Sequence, residues 1–257
     1  MTVAGAHPQW IIPDWPAPAS VRALITTRAG GVSESPFGAG VGGGMNIGLK
    51  SGDAVENINA NRALLRAVLP AEPRWLQQVH GVRVANLDDD AAPVQADAAI
   101  SLRPRCVCVV SVADCLPVLL ADIEGRAVGV VHAGWRGLAA GIIQDTAAAM
   151  RTALGAADAE VLAYLGPAIG PKRFEVGEDV LVAMSERLPQ ARAAFAPVTR
   201  RKYLCDLFAL ARQALSQADI ERVFGGGECT HSNEERFFSY RRDRVTGRHA
   251  ALIWMEP

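Results

Sequence analysis

Residues 112–137 read VADCLPVLLADIEGRAVGVVHAGWRG. Two apolar runs rich in β-formers, LPVLLAD and AVGVVHA, flank Glu124–Gly125. An apolar run, a turn residue pair and a second apolar run make a hairpin. With Glu124–Gly125 at the tip of an even-numbered loop, Ile123 faces Arg126, Leu116 faces Ala133 and Cys115 faces Gly134. His132 lies two residues before Gly134, on the same sheet face as Cys115 and diagonal to it. Diagonal neighbours are ~7–8 Å apart at the backbone, a span that one metal at roughly 2.0–2.3 Å from each ligand atom bridges. A loop one residue longer or shorter would put the two side chains on opposite faces.

Working outward, PRWLQQVHGVRVANL (73–87) alternates and reads as a strand, and CVCVVSV (106–112) is a further β-rich run. GLAAGIIQDTAAAMRTAL after Trp135 reads as one helix. GEDVLVAMSERL and the stretch from Leu204 to Ala218 read as two more. Asp53, with Glu56 three residues on, signals the start of a helix that ends at Pro70. FFSYRRD and HAALIWM read as late strands joined by VTG. AGVGGGMNIG (39–48) has no strand and helix around it, so it reads as a mobile loop rather than a phosphate cradle. Strands adjoin as hairpins and helices interrupt them irregularly, which favours α+β over a regular βαβ repeat. No linker divides residues 1–257, so a single domain is expected.

Composition narrows the function. The formal charge of -1 opposes a general nucleic-acid binder, which needs excess positive charge to displace counterions. No apolar stretch approaches the ~18 residues of a membrane span, and the N-terminus lacks a basic start followed by an apolar block. Five Cys without repeated spacing suit a reducing, cytoplasmic setting better than a disulfide framework. Cys106 and Cys108 share a strand face and read as core packing.

Cys115 beside His132 admits three readings: a buried thiol next to a core histidine, a nucleophilic pair, or a metal site with one more ligand. His80 in QQVHG is the natural third ligand, because it ends an alternating run before a glycine. His7, His231 and His249 offer less.

QQVHG, ADCLPV, HAGWRG, LGPAIGPKRFEVG and FFSYRRDRVTGRHAALI resemble the YfiH family, once called the polyphenol oxidase or laccase-domain family, which includes YlmD and FAMIN. The resemblance runs in the same order from about Thr27 to Ile253. It implies a four-layer αββα sandwich and one zinc per chain, held by His80, Cys115 and His132. It also implies purine nucleoside chemistry: phosphorolysis of adenosine, inosine, guanosine and methylthioadenosine, and deamination of adenosine. The implied partners are a nucleoside and phosphate, with no nucleic acid and no membrane, in a monomer or weak homodimer.

Three protein ligands leave a tetrahedral zinc one open position, where bound water becomes acidic near neutral pH. Two His and one Cys is close to the ligand set of nucleobase deaminases, in which a non-ligand Glu moves the proton. Glu175 in RFEVG is the candidate for that carboxylate, although the H-x-E and P-C-x-x-C signatures are absent. Arg28 in TTRAGG is the candidate to position phosphate. Asn46, Gln77 and Arg136 are candidates to hold substrate, Arg136 at a helix start. The run Arg241, Arg242, Arg244 and Arg248 reads as a solvated rim.

Copper is disfavoured, because five His cannot furnish a blue-copper centre and a three-copper cluster together. The family resemblance also carries an alternative, removal of a misincorporated Ser from a peptidoglycan precursor by zinc-activated water. A thiol hydrolase and a zinc-stabilised binding module are the remaining alternatives.

Overall fold

The computed structural model describes residues 3–38, 42–89 and 94–257. Its centre is the expected hairpin: Leu116–Asp122 pairs antiparallel with Val128–Ala133, with Leu116 opposite Ala133 and Pro117 opposite His132. The turn is fixed from within. The buried Asp122 carboxylate accepts from the backbone N–H of Glu124 and Arg126 and from two guanidinium nitrogens of Arg126, each at 2.8 Å.

That hairpin sits in the middle of a six-stranded mixed sheet, flanked by Val161–Leu165 and Val223–Gly225 on one side and by Ala98–Ser101 and Val84–Asn86 on the other. A second sheet has four strands in the order Val21–Ile25, His249–Met255, Cys108–Val112, Arg74–Trp75. Period-2 alternation sends successive side chains to opposite faces. Leu119, Ala121, Val128 and Val130 therefore meet Val21, Ala23, Val110, Ala251 and Ile253 between the sheets. Leu116, Val118, Leu120, Val131 and Ala133 face the other way, onto the helices of residues 135–154, 178–187 and 207–216. The outer face of the four-stranded sheet, with Leu24, Val109, Leu252 and Trp254, is covered by Leu65 of the Val55–Arg66 helix together with Trp10, Met45 and Ile47. The result is four layers, helix–sheet–sheet–helix, as expected. Both sheets are covered on both faces, which is why their strands read as continuous apolar runs.

Several elements differ from their sequence reading. PRWLQQVHGVRVANL is two short strands, Arg74–Trp75 and Val84–Asn86, in different sheets. The chain leaves the sheet between them and passes through His80 at φ 62°. The long helix after Trp135 is broken at Gly141, whose φ of 96° is left-handed, into Trp135–Ala140 and Ile142–Leu154. FFSYRRD is no strand: Ser239 caps a short helix, Tyr240–Asp243, by accepting the backbone N–H of Arg242. Asp53 does not cap the Val55–Arg66 helix, because its carboxylate is spent on Asn46, on the Ala54 N–H and on Asn57. Within the glycine run, Gly43–Gly44 pairs with Ala29–Gly31 instead of forming a loop. Residues 39–41 of that run lie outside the described residues.

Candidate metal centre

Cys115 lies one residue before the Leu116–Asp122 strand and His132 one residue before the end of its partner. Both point to the inter-sheet side by the alternation above. His80 reaches them from the loop between the two sheets. One ligand atom from each of the three residues lies within 4.8 Å of the others, and the Cys115 Sγ is 4.0 Å from His80 Nε2. The imidazoles of His80 and His132 meet edge to face, 4.8 Å apart. Gly134 leaves the space they occupy: a Cβ there would sit 3.1 Å from the Cys115 sulfur and 3.1 Å from His80 Cδ2. Bare backbone at this position keeps the three donors convergent.

The residue that organises the cluster is Asp97, which sequence reasoning missed. It is completely buried. Its carboxylate accepts the backbone N–H of Val79 (3.1 Å), His80 (2.9 Å) and Gly81 (2.7 Å). Three N–H groups turned towards one anion form a backbone nest, and the left-handed conformation of His80 is what makes it. The same carboxylate takes Nδ1–H of His132 at 2.8 Å. That bond fixes the tautomer and leaves Nε2 of His132 as the donor for a metal. One buried carboxylate thus orients two of the three ligands.

Electrostatics follow from this packing. Burial raises the Cys115 thiol, but the adjacent His132, with hydrogen bonds from both imidazoles, outweighs it and brings the group down to about 6. Burial opposes charge on His132, while the thiolate and Asp97 raise it to about 9. Burial likewise works against charge on Asp97, and the hydrogen bonds from His132, Gly81 and Val79 hold its carboxyl below its ordinary value. The thiolate is the form that a soft divalent cation takes. Two imidazoles, one thiolate and an outer carboxylate fit a metal such as zinc, with no fourth protein ligand in the cluster among the described residues.

The turn that carries Cys115 is tied to the C-terminal region. Asp114, at φ 81°, accepts from the Thr230 hydroxyl and from the Arg241 backbone N–H, both at 2.6 Å. Arg241 in turn donates Nη1 to the Glu175 carbonyl at 2.8 Å and stacks on Phe174. Glu175 is exposed, and its carboxylate pairs with no cation among the described residues.

The other sequence candidates separate. Arg136 is exposed in the first turn of the helix that follows Gly134, stacked 4.4 Å over Trp135. Gln77 is exposed. The neighbouring Gln78 is occupied instead, bracing Ser111 through its backbone and hydroxyl. Asn46 lies inside the fold. It is completely buried, donates to Ser51 and Asp53, and accepts from the N–H of Gly48 and Arg248. Arg28 sits on Phe238 beside a cleft of about 1030 Å³ that also holds Ser35, Glu234 and Asp243. Its Nε and Nη2 already donate to the carbonyls of Gly38 and Pro36, and Nη1 to that of Glu234. Nε and Nη2, the pair that would grip a phosphate in two parallel bonds, thus hold the backbone of residues 36–38 in this structure. The basic run is not a uniform rim either. Arg242 is built in by carbonyls of Thr230, His231 and Phe237, and Arg248 is half-buried, close enough to Cys115 and Asp114 to feel their charges.

The three other histidines stand apart. His7 Nδ1 accepts from Gln9, His249 Nε2 accepts the Phe238 N–H at 2.8 Å, and neither these nor His231 joins the cluster. Burial holds His249 neutral, down to about 3. No helix among the described residues is long and apolar enough to cross a membrane, and all five cysteines are free.

Residues 22–256 match the family model described as multi-copper polyphenol oxidoreductase laccase. The chain is 44% identical over 248 residues to a purine nucleoside phosphorylase of Pseudomonas aeruginosa, spanning 96% of this chain and 98% of that one. It is 45% identical over 250 residues to the Escherichia coli purine nucleoside phosphorylase YfiH, with 95% and 98% covered. Among solved structures, a Neisseria meningitidis protein superposes with TM-score 0.87 at 42% identity, over 97% of this chain and 100% of that one. YlmD from Geobacillus stearothermophilus superposes with TM-score 0.84 at 29% identity, over 93% of each.

Proposed function

The chain belongs to the YfiH family of laccase-like proteins, and from that premise we propose that it is a zinc-dependent purine nucleoside phosphorylase that also deaminates adenosine. The reading rests on one conjunction: near full-length kinship at 44% identity with enzymes named for that activity, joined to a convergent His80–Cys115–His132 donor set. Zinc held by those three residues would supply positive charge and, at its open position, acidify water. A laccase is disfavoured, since a multicopper oxidase needs histidines that this chain places elsewhere.

In phosphorolysis a phosphate oxygen bonds to C1′ of the ribose as the C1′–N9 bond breaks. The electron pair leaves with the purine, which takes up a proton. The sugar is cation-like at the midpoint, so an anion poised beside it is favourable. In deamination water adds to C6 of adenine and ammonia leaves, which requires a group that first accepts and then returns a proton. Glu175 is the residue proposed for that transfer. Asp97 and Asp114 have both carboxylate oxygens committed within the fold, whereas the Glu175 carboxylate has no ion-pair partner among the described residues. Gln77 and Arg136, both exposed near the ligand-bearing segments, are proposed to hold the base and sugar.

The test is product analysis on metal-replete protein given adenosine with and without phosphate, and separately a Ser-containing muropeptide. Adenine that appears only with phosphate, plus phosphate-independent inosine, is expected, and Glu175→Gln should lower inosine formation most. Release of Ser without nucleoside turnover would replace this reading with peptidoglycan-precursor editing.

A further inference from the structure

Arg248 is held from several sides, yet part of its guanidinium has no hydrogen-bond acceptor among the described residues. Its backbone N–H donates to the buried side-chain Oδ1 of Asn46 at 2.9 Å. Its stem runs over Gly48, where a Cβ would lie 3.0 Å from Arg248 Cβ and closer still to its Cγ, so that only glycine lets the side chain pass. Nη1 donates to the carbonyls of Thr246 and Gly247, each at 2.9 Å. The guanidinium carbon stands 5.9 Å from the ring centre of Tyr240. Tyr240 begins the short helix whose next residue, Arg241, is bonded to Asp114, the neighbour of the ligand Cys115. Arg has five N–H donors, and two are accounted for on Nη1. The Nε–H and both Nη2 hydrogens have no acceptor among the described residues, and Nε with Nη2 is the pair that grips a phosphate or carboxylate in two parallel bonds. In Arg28 those same two atoms are spent on carbonyls.

We propose that Arg248 is the anion anchor of this site, binding the co-substrate phosphate beside the metal through Nε and Nη2. Asn46, Gly48 and Tyr240 act as positioning residues, which gives the buried Asn46 amide its purpose. The identification of the anion as phosphate rests on the phosphorylase reading; the anchor itself rests on the geometry.

The experiment uses metal-replete protein and inorganic phosphate as the probe. Calorimetry reads phosphate binding, steady-state assays read the phosphate and adenosine KM values, and elemental analysis reads metal per chain. Arg248→Gln should weaken phosphate binding and raise the phosphate KM by about tenfold or more, the scale of one lost charge-assisted bidentate contact. Adenosine KM should change far less and metal content should hold. Arg248→Lys keeps the charge and loses the fork, so it should show most of the same defect, and it carries the test if the Gln variant does not fold. Gly48→Ala should raise the phosphate KM without altering metal content. The exposed Arg244→Gln should leave phosphate affinity near wild type. An unchanged phosphate affinity in Arg248→Gln or Arg248→Lys, or an equal loss in Arg244→Gln, overturns the anchor. Phosphorolysis that persists with an unchanged phosphate KM in these variants removes the anchor and leaves the phosphorylase. Arg248-dependent phosphate binding without phosphorolysis does the reverse, and neither binding nor turnover removes both.

Discussion

At the scale of single residues, Asp97 governs more of the site than any ligand does. Asn in its place could not accept three backbone N–H bonds and an imidazolium partner with the same strength, so His80 and His132 would both lose their orientation. Asp97→Asn should weaken metal retention about 10–100-fold, the usual cost of losing an outer-shell carboxylate, as read by chelator competition. The same variant has a pH signature. The Asp97 carboxyl is held below its ordinary value. Its stabilising contribution is therefore complete above the unfolded pKa of about 3.9, and fades as pH falls through the lower folded value. Asp97→Asn should flatten that acid limb in unfolding measured against pH. None of this was legible in the sequence: QADAAI presents one Asp before an apolar strand, as many surface turns do. The facing of Cys115 and His132 was legible once Glu124–Gly125 is read as the tip of an even-numbered loop, the register that the hairpin adopts. The commitments of Asn46 and Arg28 were not, because they run to the backbone and side chains of irregular nearby loops and, for one bond each, to Arg248 and Glu234 at the other end of the chain.

At the scale of elements, strands between covered faces were legible almost to the residue, since LPVLLAD and HAALIWM have no polar interruption. Breaks were harder to see. His80 bends its run through an unusual backbone conformation that a carboxylate distant in sequence stabilises. FFSYRRD is aromatic enough for a strand, yet Ser239 caps a helical turn. Gly141 permits the left-handed residue that divides Trp135–Ala140 from Ile142–Leu154. An L side chain in that conformation costs roughly 1–2 kcal/mol, and a Cβ there would also displace the Arg187 guanidinium. Gly141→Ala should therefore lower unfolding free energy in urea by about that amount or more. It should not alter metal content, because the break lies outside the donor cluster.

At the scale of the whole molecule, the second sheet is assembled from distant parts of the chain. His249–Met255 lies between Val21–Ile25 and Cys108–Val112, with Leu252 opposite Leu24 on one side and Val109 on the other. Leu252 is completely buried. Leu252→Ala should cost about 2–5 kcal/mol in denaturant unfolding, the range for opening a cavity in a core with little room to collapse.

That arrangement separates two inventories in time. A ribosome that has just added His132 has already supplied all three candidate donors, together with Asp97 that orients two of them. Arg248 emerges only with the closing strand. The donors are thus made long before the strand that holds the second sheet together, so the fold around them is completed only after Arg248 has been added.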